Sequence, residues 1–446
     1  MKLLCVSLGC DKNLVDSEKM LGLLYEDGFS FTDDEAEADV ILVNTCCFIG
    51  DAKEESVNTL LEMAEYRRSG PCRALIVTGC MAERYREEIT AEIPEVDAVV
   101  GTTAFDEIVP VIRKVLAGEE HIQCFEDLAA LPEVQAKRLV TTGGYYAFLK
   151  IAEGCDKWCT YCIIPSLRGP YRSVPMEQLV KEAEELAENG VKELILVAQE
   201  TTLYGVDLYG KKSLPQLLKK LCRIPGIQWI RIQYCYPEEI TDELIETIRD
   251  EEKICHYLDI PIQHASDRIL KRMNRRTSQA QLREMIGRLR REIPDIALRT
   301  TLISGFPGET EEDHEELYRF VNEMEFDRLG VFAYSLEEDT PAASFPDQVP
   351  QEIKEERRDE IMELQQEIAF EACRKMVGRV LDVMIEGKVA DENAYVGRTY
   401  MDAPGVDGLI FVNTGLDLMS GDFVRVKVTG ALEYDLIGEV YDESAQ

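Results

Sequence analysis

YAFLKIAEGCDKWCTYC, residues 146–162, is the stretch on which the fold turns. A mostly apolar run ends in three cysteines, Cys155, Cys159 and Cys162, spaced CxxxCxxC. The run reads as a strand and the cysteines as the loop at its carboxyl end. Three thiolates on one short loop suit three irons of a four-iron cluster and leave the fourth iron without a protein ligand, open to a chelating small molecule. A mononuclear zinc site is the alternative. It needs a fourth ligand, and with no Cys or His close by in sequence a distant residue would have to supply it.

Five more apolar runs follow: KELILVAQE (192–200), IQWIRIQY (227–234), HYLDIPIQH (256–264), ALRTTLISGFPGE (297–309) and RLGVFAYS (328–335). Each precedes a helical or loop segment. Six strand-helix units make a partial (β/α)6 barrel, a relative of the eight-unit parallel barrel, with working residues on the loops after the strands. A long charged helix, about residues 351–376, closes this part of the chain.

Toward the amino terminus, LLCVSLGC (3–10), DVILVNTCC (39–47) and ALIVTGC (74–80) alternate with helical stretches near 17–27 and 51–68, the pattern of a doubly wound α/β parallel sheet. All three runs end in cysteine, at Cys10, Cys46 and Cys80. Loops at the carboxyl ends of parallel strands meet in one crevice, so three thiols far apart in sequence would face a common space. A free cysteine at a strand end is ordinarily just a small buried residue. The same placement in three successive units asks for more. Cys47 is an alternative to Cys46, and alternation along a strand points only one of the two inward. The expected organisation is an α/β domain over 1–118, a linker over 119–142 and the partial barrel over 143–376. Residues 377–446 read as five short strands between Gly and Asp turns, a small antiparallel β-barrel of the oligonucleotide-binding size.

Fourteen cysteines without an export signal argue against disulfides and for metal or redox chemistry. Only four histidines are present, so thiolates are the expected ligands. No run approaches the roughly 20 apolar residues that span a bilayer, and a cytoplasmic protein with no membrane partner is expected. The 85 acidic residues against 49 basic ones give a formal charge of −36, which repels phosphate backbones and attracts basic proteins.

With Tyr161 before its last cysteine, the CxxxCxxC loop resembles that of the radical S-adenosylmethionine enzymes. TLISGFPGE (301–309) is similar to the glycine-containing segment after that family's fifth barrel strand, which packs along the cofactor, and so implicates Gly305, Phe306, Pro307 and Gly308. VAQE puts Gln199 and Glu200 where the family's second-strand loop meets the methionine amino group. The resemblance implies S-adenosylmethionine chelated to the open iron and cleaved by one electron to a 5′-deoxyadenosyl radical, with Cys155, Cys159 and Cys162 as the catalytic cluster's ligands. Over essentially the whole chain the domain order resembles the methylthiotransferases, in which the terminal barrel is called TRAM and Cys10, Cys46 and Cys80 fall on the positions of an auxiliary cluster. Two [4Fe-4S] clusters and an electron donor of flavodoxin or ferredoxin type are thereby implied. Cys47 departs from the family pattern, where a non-thiol residue is more usual.

LGCDKNLVDSE, VNTCCFI and VAQETTLYG look like the branch that places a methylthio group on the β-carbon of an aspartate in the twelfth protein of the small ribosomal subunit. The transfer RNA branch, typified by MiaB, more often has Gln-Met-Asn after the first cysteine, where this chain has Asp11, Lys12 and Asn13. Over residues 373–446 thirteen acids face seven bases, which favours a basic ribosomal protein over nucleic acid. A basic run, KRMNRR (271–276), reads as a solvated helix end ahead of a substrate contact. A non-catalytic cluster scaffold or sulfur carrier is a further reading, and it leaves TLISGFPGE without a purpose.

Overall fold

The computed structural model describes residues 1–441 other than 133, 135 and 391; part of the expected linker and the last five residues of the expected terminal domain therefore lie outside the described residues. The first sheet is built of β1 (Lys2–Ser7), β2 (Ser30–Phe31), β3 (Val40–Thr45), β4 (Ala74–Gly79), β5 (Ala98–Val100) and β6 (Ile122–Cys124). Its order is β2-β1-β3-β4-β5-β6, all parallel. β3 and β4 are buried along their whole length, which is why VILVNT and ALIVTG show runs rather than alternation. The order reverses between β1 and β3, and a crevice opens at such a point beyond the carboxyl ends of the strands.

Two details differ from the sequence reading. The first helix runs Asp11–Glu26, starting six residues before the expected 17–27, because Gly9 turns the chain at φ +89° and Cys10 takes the N-cap position with Asp11 in the favourable first turn. The sheet also extends past residue 118 through β6, a three-residue strand too short for periodicity to reveal. The linker is held at Arg138. Arg138 donates to the buried Glu18 and to Glu182 at 3.0 Å, tying the first domain to the second.

The central sheet contains β7 (Tyr146–Lys150), then, after a small antiparallel pair of β8 (Ala152–Glu153) and β9 (Arg172–Ser173), five more strands: β10 (Glu193–Val197), β11 (Trp229–Ile232), β12 (Ile254–Asp259), β13 (Ala297–Ser304) and β14 (Arg328–Ala333). Each lies parallel beside its predecessor, in the order β14-β13-β12-β11-β10-β7, as a partial barrel requires. β13 alternates: Thr300, Leu302 and Ser304 are buried while Thr301 and Ile303 are half-buried and face a cavity. The helix Gln351–Lys375 packs along β14.

The terminal strands β15 (Val380–Lys388), β16 (Ala394–Arg398), β17 (Ile410–Asn413), β18 (Phe423–Ala431) and β19 (Leu436–Val440) close into a barrel. Pairing is antiparallel except between β17 and β19, where the closure is parallel. The barrel shares a core with Trp229, Cys255, Tyr257 and Ala297 of the central sheet. Beneath it Glu193, fully buried, accepts from Arg231 at 2.8 Å and from Arg398 at 2.7 Å, joining the two domains by a dry ion triad. Among the described residues no helix is long and apolar enough to cross a membrane.

Candidate active site

Cys10, Cys46 and Cys80 all lie at the carboxyl edge of the first sheet, flanking its reversal point. A Cβ added to Gly9 would sit 3.0 Å from Cys46 Sγ, so the bare backbone beside Cys10 is what lets Cys46 approach. Gly79, at φ +92°, does the same for Cys80; a Cβ there would meet Asn44 Oδ1 and Thr45 O at 2.3 and 2.4 Å. Burial pushes the Cys46 thiol up to about 11, and Cys80 and Cys10 raise it further while Arg168 opposes. Cys47 lies in an apolar cluster with Leu60, Met81 and Ile163 that also takes in Cys80; burial raises its thiol to about 12 and Cys80 adds to the rise. Cys10 and Cys80 also begin helices, whose N-terminal N–H groups favour anions.

Cys155, Cys159 and Cys162 occupy the loop between β8 and β9, at the end of the first central strand. Burial is the main cause that raises Cys155 to about 12 and Cys162 higher still, and the neighbouring Cys159 adds to both. Cys159 Sγ lies 3.4 Å from the Tyr236 hydroxyl and 4.0 Å from the buried Arg275 guanidinium. Among the described residues no three Cys, His, Asp or Glu side chains converge closely enough to hold a single metal ion. A cluster in which each thiolate binds a different iron asks for wider spacing than one ion does. The donor set of each triplet, three thiols facing one another beside a buried guanidinium, fits an anionic iron-sulfur cluster.

Sequence reasoning missed the cation beside the first triplet. Arg168, buried at the end of the short helix Ile164–Arg168, donates to Asp16 at 2.8 Å, to Glu153 at 3.3 Å and to Asn13 Oδ1. It faces Cys80 and favours that thiolate against the cost of burial. Lys150 donates to the same two carboxylates. Against the cost of burial, Lys150 and Arg168 hold the Glu153 carboxyl well below the usual range. Glu153 in turn accepts from Gln199 at 2.6 Å. The sequence signal was an arginine in an otherwise uncharged IIPSLRGP, and its partner Asp16 is 152 residues away.

Gln199 and Glu200 follow the second central strand. Among the described residues Gln199 Oε1 and Glu200 Oε2 are buried without hydrogen-bond partners, and Lys157 Nζ stands 3.7 Å from the latter. Burial raises the Glu200 carboxyl to about 7. Two orphaned acceptors at this edge suit an ammonium group. Gly305 and Gly308 keep φ +71° and +81°, and the room they leave is filled by Lys354 and by Asp347 and Arg272 of the protein itself. Glu309 closes that turn by accepting from the N–H groups of Gly305 and Phe306. Phe306 is fully buried and meets Tyr161 edge-on at 6.5 Å. Pro307 lends its carbonyl to Arg272. A cavity of about 560 Å³ opens between the domains, bounded by Phe48 to Asp51 of the first, by Tyr161, Gln263, Thr301 and Ile303 of the second and by residues 331–337. It falls within the range of small-molecule sites.

A parallel partial barrel with a CxxxCxxC loop after its first strand defines a radical S-adenosylmethionine enzyme, and the Radical SAM superfamily matches residues 149–321. The Uncharacterized protein family UPF0004 matches residues 2–101 and the TRAM domain residues 377–440. Full-length relatives narrow this. The ribosomal protein uS12 methylthiotransferase RimO of Lachnoclostridium phytofermentans is 67% identical over 98% of this chain and 99% of its own. Proteins of the same name from Acetivibrio thermocellus and Clostridioides difficile are 52% and 49% identical, over 99% and 100% of this chain and 98% and 100% of theirs. The chain belongs to this family of radical S-adenosylmethionine methylthiotransferases, and is an enzyme. In fold it is also similar to the radical S-adenosylmethionine methyltransferase TsrM of Kitasatospora setae, with a TM-score of 0.57 at 14% identity over 76% of this chain and 73% of that one. An iron-sulfur cluster and S-adenosylmethionine come with the superfamily.

Proposed function

We propose that this chain carries two [4Fe-4S] clusters, one on Cys155, Cys159 and Cys162 and one on Cys10, Cys46 and Cys80, and places a methylthio group on the β-carbon of an aspartate in the twelfth protein of the small ribosomal subunit. The observation that carries this reading is the gathering of six of the fourteen cysteines into two triplets, one beside the buried Arg168 and the other beside the buried Arg275. When bound, the first cluster supplies the electron that cleaves S-adenosylmethionine and the second carries the sulfur to be transferred.

The chain's own work is charge compensation, orientation and shelter. Arg168 and Lys150 balance Asp16 and Glu153, and Arg168 favours the Cys80 thiolate. Glu153 fixes the Gln199 amide by accepting from its nitrogen, which turns Gln199 Oε1 toward the position an ammonium would take beside Glu200. Phe48, Phe332 and Leu336, all exposed at the cavity mouth, are placed to be covered by a docked segment, and covering them would exclude water. A protein substrate is favoured over transfer RNA because the terminal barrel is acidic and Arg398, one of its few cations, is buried against Glu193. The names of the relatives point the same way.

Mass spectrometry of ribosomal proteins and transfer RNA from cells with and without the gene tests this. Loss of a methylthio group from the twelfth small-subunit protein is expected; loss from transfer RNA alone would sink the reading.

A further inference from the structure

The basic run at 271–276 packs on the outside of the cysteine loop. Thr160 donates its N–H to the Met273 carbonyl at 3.1 Å and its hydroxyl to that of Arg272 at 2.8 Å. The Asn274 amide donates to the carbonyls of Lys157 and Trp158 at 3.2 and 2.9 Å. Run and loop are therefore one unit. Met273 and Arg275 turn inward, while Lys271 and Arg276 are exposed and neither has an ionic partner among the described residues. Arg272 is paired with Asp347 at 2.8 Å, and the nearby Glu238 and Glu239 are paired with Lys157. Asp156 is the one acid in the loop itself.

Between Cys155 and Cys159 stands Trp158, 60% exposed, with its backbone at φ +52°. A non-glycine residue is held in the left-handed region at a cost, and here the result is an indole displayed to water. Asn274, whose amide holds the Trp158 carbonyl, is left-handed too, at φ +60°. An exposed aromatic held against a run that carries two exposed cations has the composition of an interface centre.

The reaction requires a partner at this place. Each cleavage of S-adenosylmethionine consumes one electron, and Trp158 adjoins a ligand of the cluster that must receive it. A chain with a formal charge of −36 repels an acidic carrier over most of its surface, so a local cationic patch both attracts and orients one. We propose that Trp158, Lys271 and Arg276 form the docking surface for an acidic one-electron donor protein. Its flavin or iron-sulfur centre is oxidised by one electron as the cluster on Cys155, Cys159 and Cys162 is reduced by one. The proposal rests on the function proposed above.

The test compares the reconstituted full chain with its Lys271→Glu, Arg276→Glu double variant, reading 5′-deoxyadenosine formation driven by reduced flavodoxin or by dithionite. Flavodoxin-driven turnover should fall about tenfold in the variant and dithionite-driven turnover should stay within about twofold, and only the parent's flavodoxin rate should drop steeply with salt. An undiminished flavodoxin rate, or equal loss with both reductants, overturns the proposal. So does loss of RNA binding in the variant at an unchanged flavodoxin rate, which would assign the patch to nucleic acid. If the parent fails to cleave S-adenosylmethionine even with dithionite, the reading of function fails instead. Calorimetric binding of flavodoxin then decides docking by itself: lost in the variant it supports the surface, retained it refutes it.

Discussion

Replacing Arg168 by Leu removes one of two buried cations that balance two buried carboxylates. Asp16 and Glu153, at 2.8 and 3.3 Å from the guanidinium, would be left to Lys150 alone, and Asn13 would lose its donor. Breaking a buried pair in this way costs about 3–5 kcal/mol, because a charge stays in the interior uncompensated. At roughly 2–4 °C per kcal/mol for a domain of this size, the unfolding transition of the apoprotein should fall by about 10 °C. Asp16 belongs to the first domain and Glu153 to the second, so the loss should also loosen their junction. Arg168→Lys keeps the charge without the planar fork and should fall between. Scanning calorimetry under reducing, anaerobic conditions measures the shift, and iron content after reconstitution reports whether the Cys80 side still accepts a cluster. A Leu variant within about 1 kcal/mol of the parent and with full iron would refute the role given to Arg168.

Cys46→Ser should lose the iron of one cluster and Cys47→Ser should keep both, since Cys46 is near both Cys80 and Cys10 and packs on Gly9, while Cys47 is near Cys80 but lies among Leu60 and Met81; the reverse result in an iron assay would exchange their roles. Glu200 is raised by burial to about 7, above its unfolded value, so its contribution to stability is whole below the ordinary carboxylate pKa and is lost as pH rises through 7. Glu200→Gln, neutral throughout, should therefore gain on the parent apoprotein between pH 4 and pH 8 by up to about 3 kcal/mol in urea titrations, and a pH-independent difference would contradict the assignment. Glu193→Ala should cost about 3–5 kcal/mol and expose the joint near residue 378 to protease, because Arg231 would lose its carboxylate and Arg398 would keep only Glu386; unchanged proteolysis would show that the triad does not hold the barrel.

The central strands were legible because parallel strands covered on both faces leave apolar runs, and the five barrel strands because short apolar or alternating stretches lie between Gly and Asp turns. β6, with three residues and one of them exposed, left no such trace. The cysteine triplets were legible from spacing within one loop and from repetition at strand ends. Arg168, Lys150 and Glu153 were not, since each finds its partners across domains and a lone charge in a sequence says nothing of what lies opposite. The glycine segment was half legible: positive φ at Gly305 and Gly308 is there, but only the structure assigns the vacated space to Lys354, Asp347 and Arg272.

Counting iron after anaerobic reconstitution tests the central claim most directly. About eight irons per chain are expected, falling to about four when Cys10, Cys46 and Cys80 are replaced together and to about four when Cys155, Cys159 and Cys162 are. About four in the parent, abolished by either triple replacement, would contradict it.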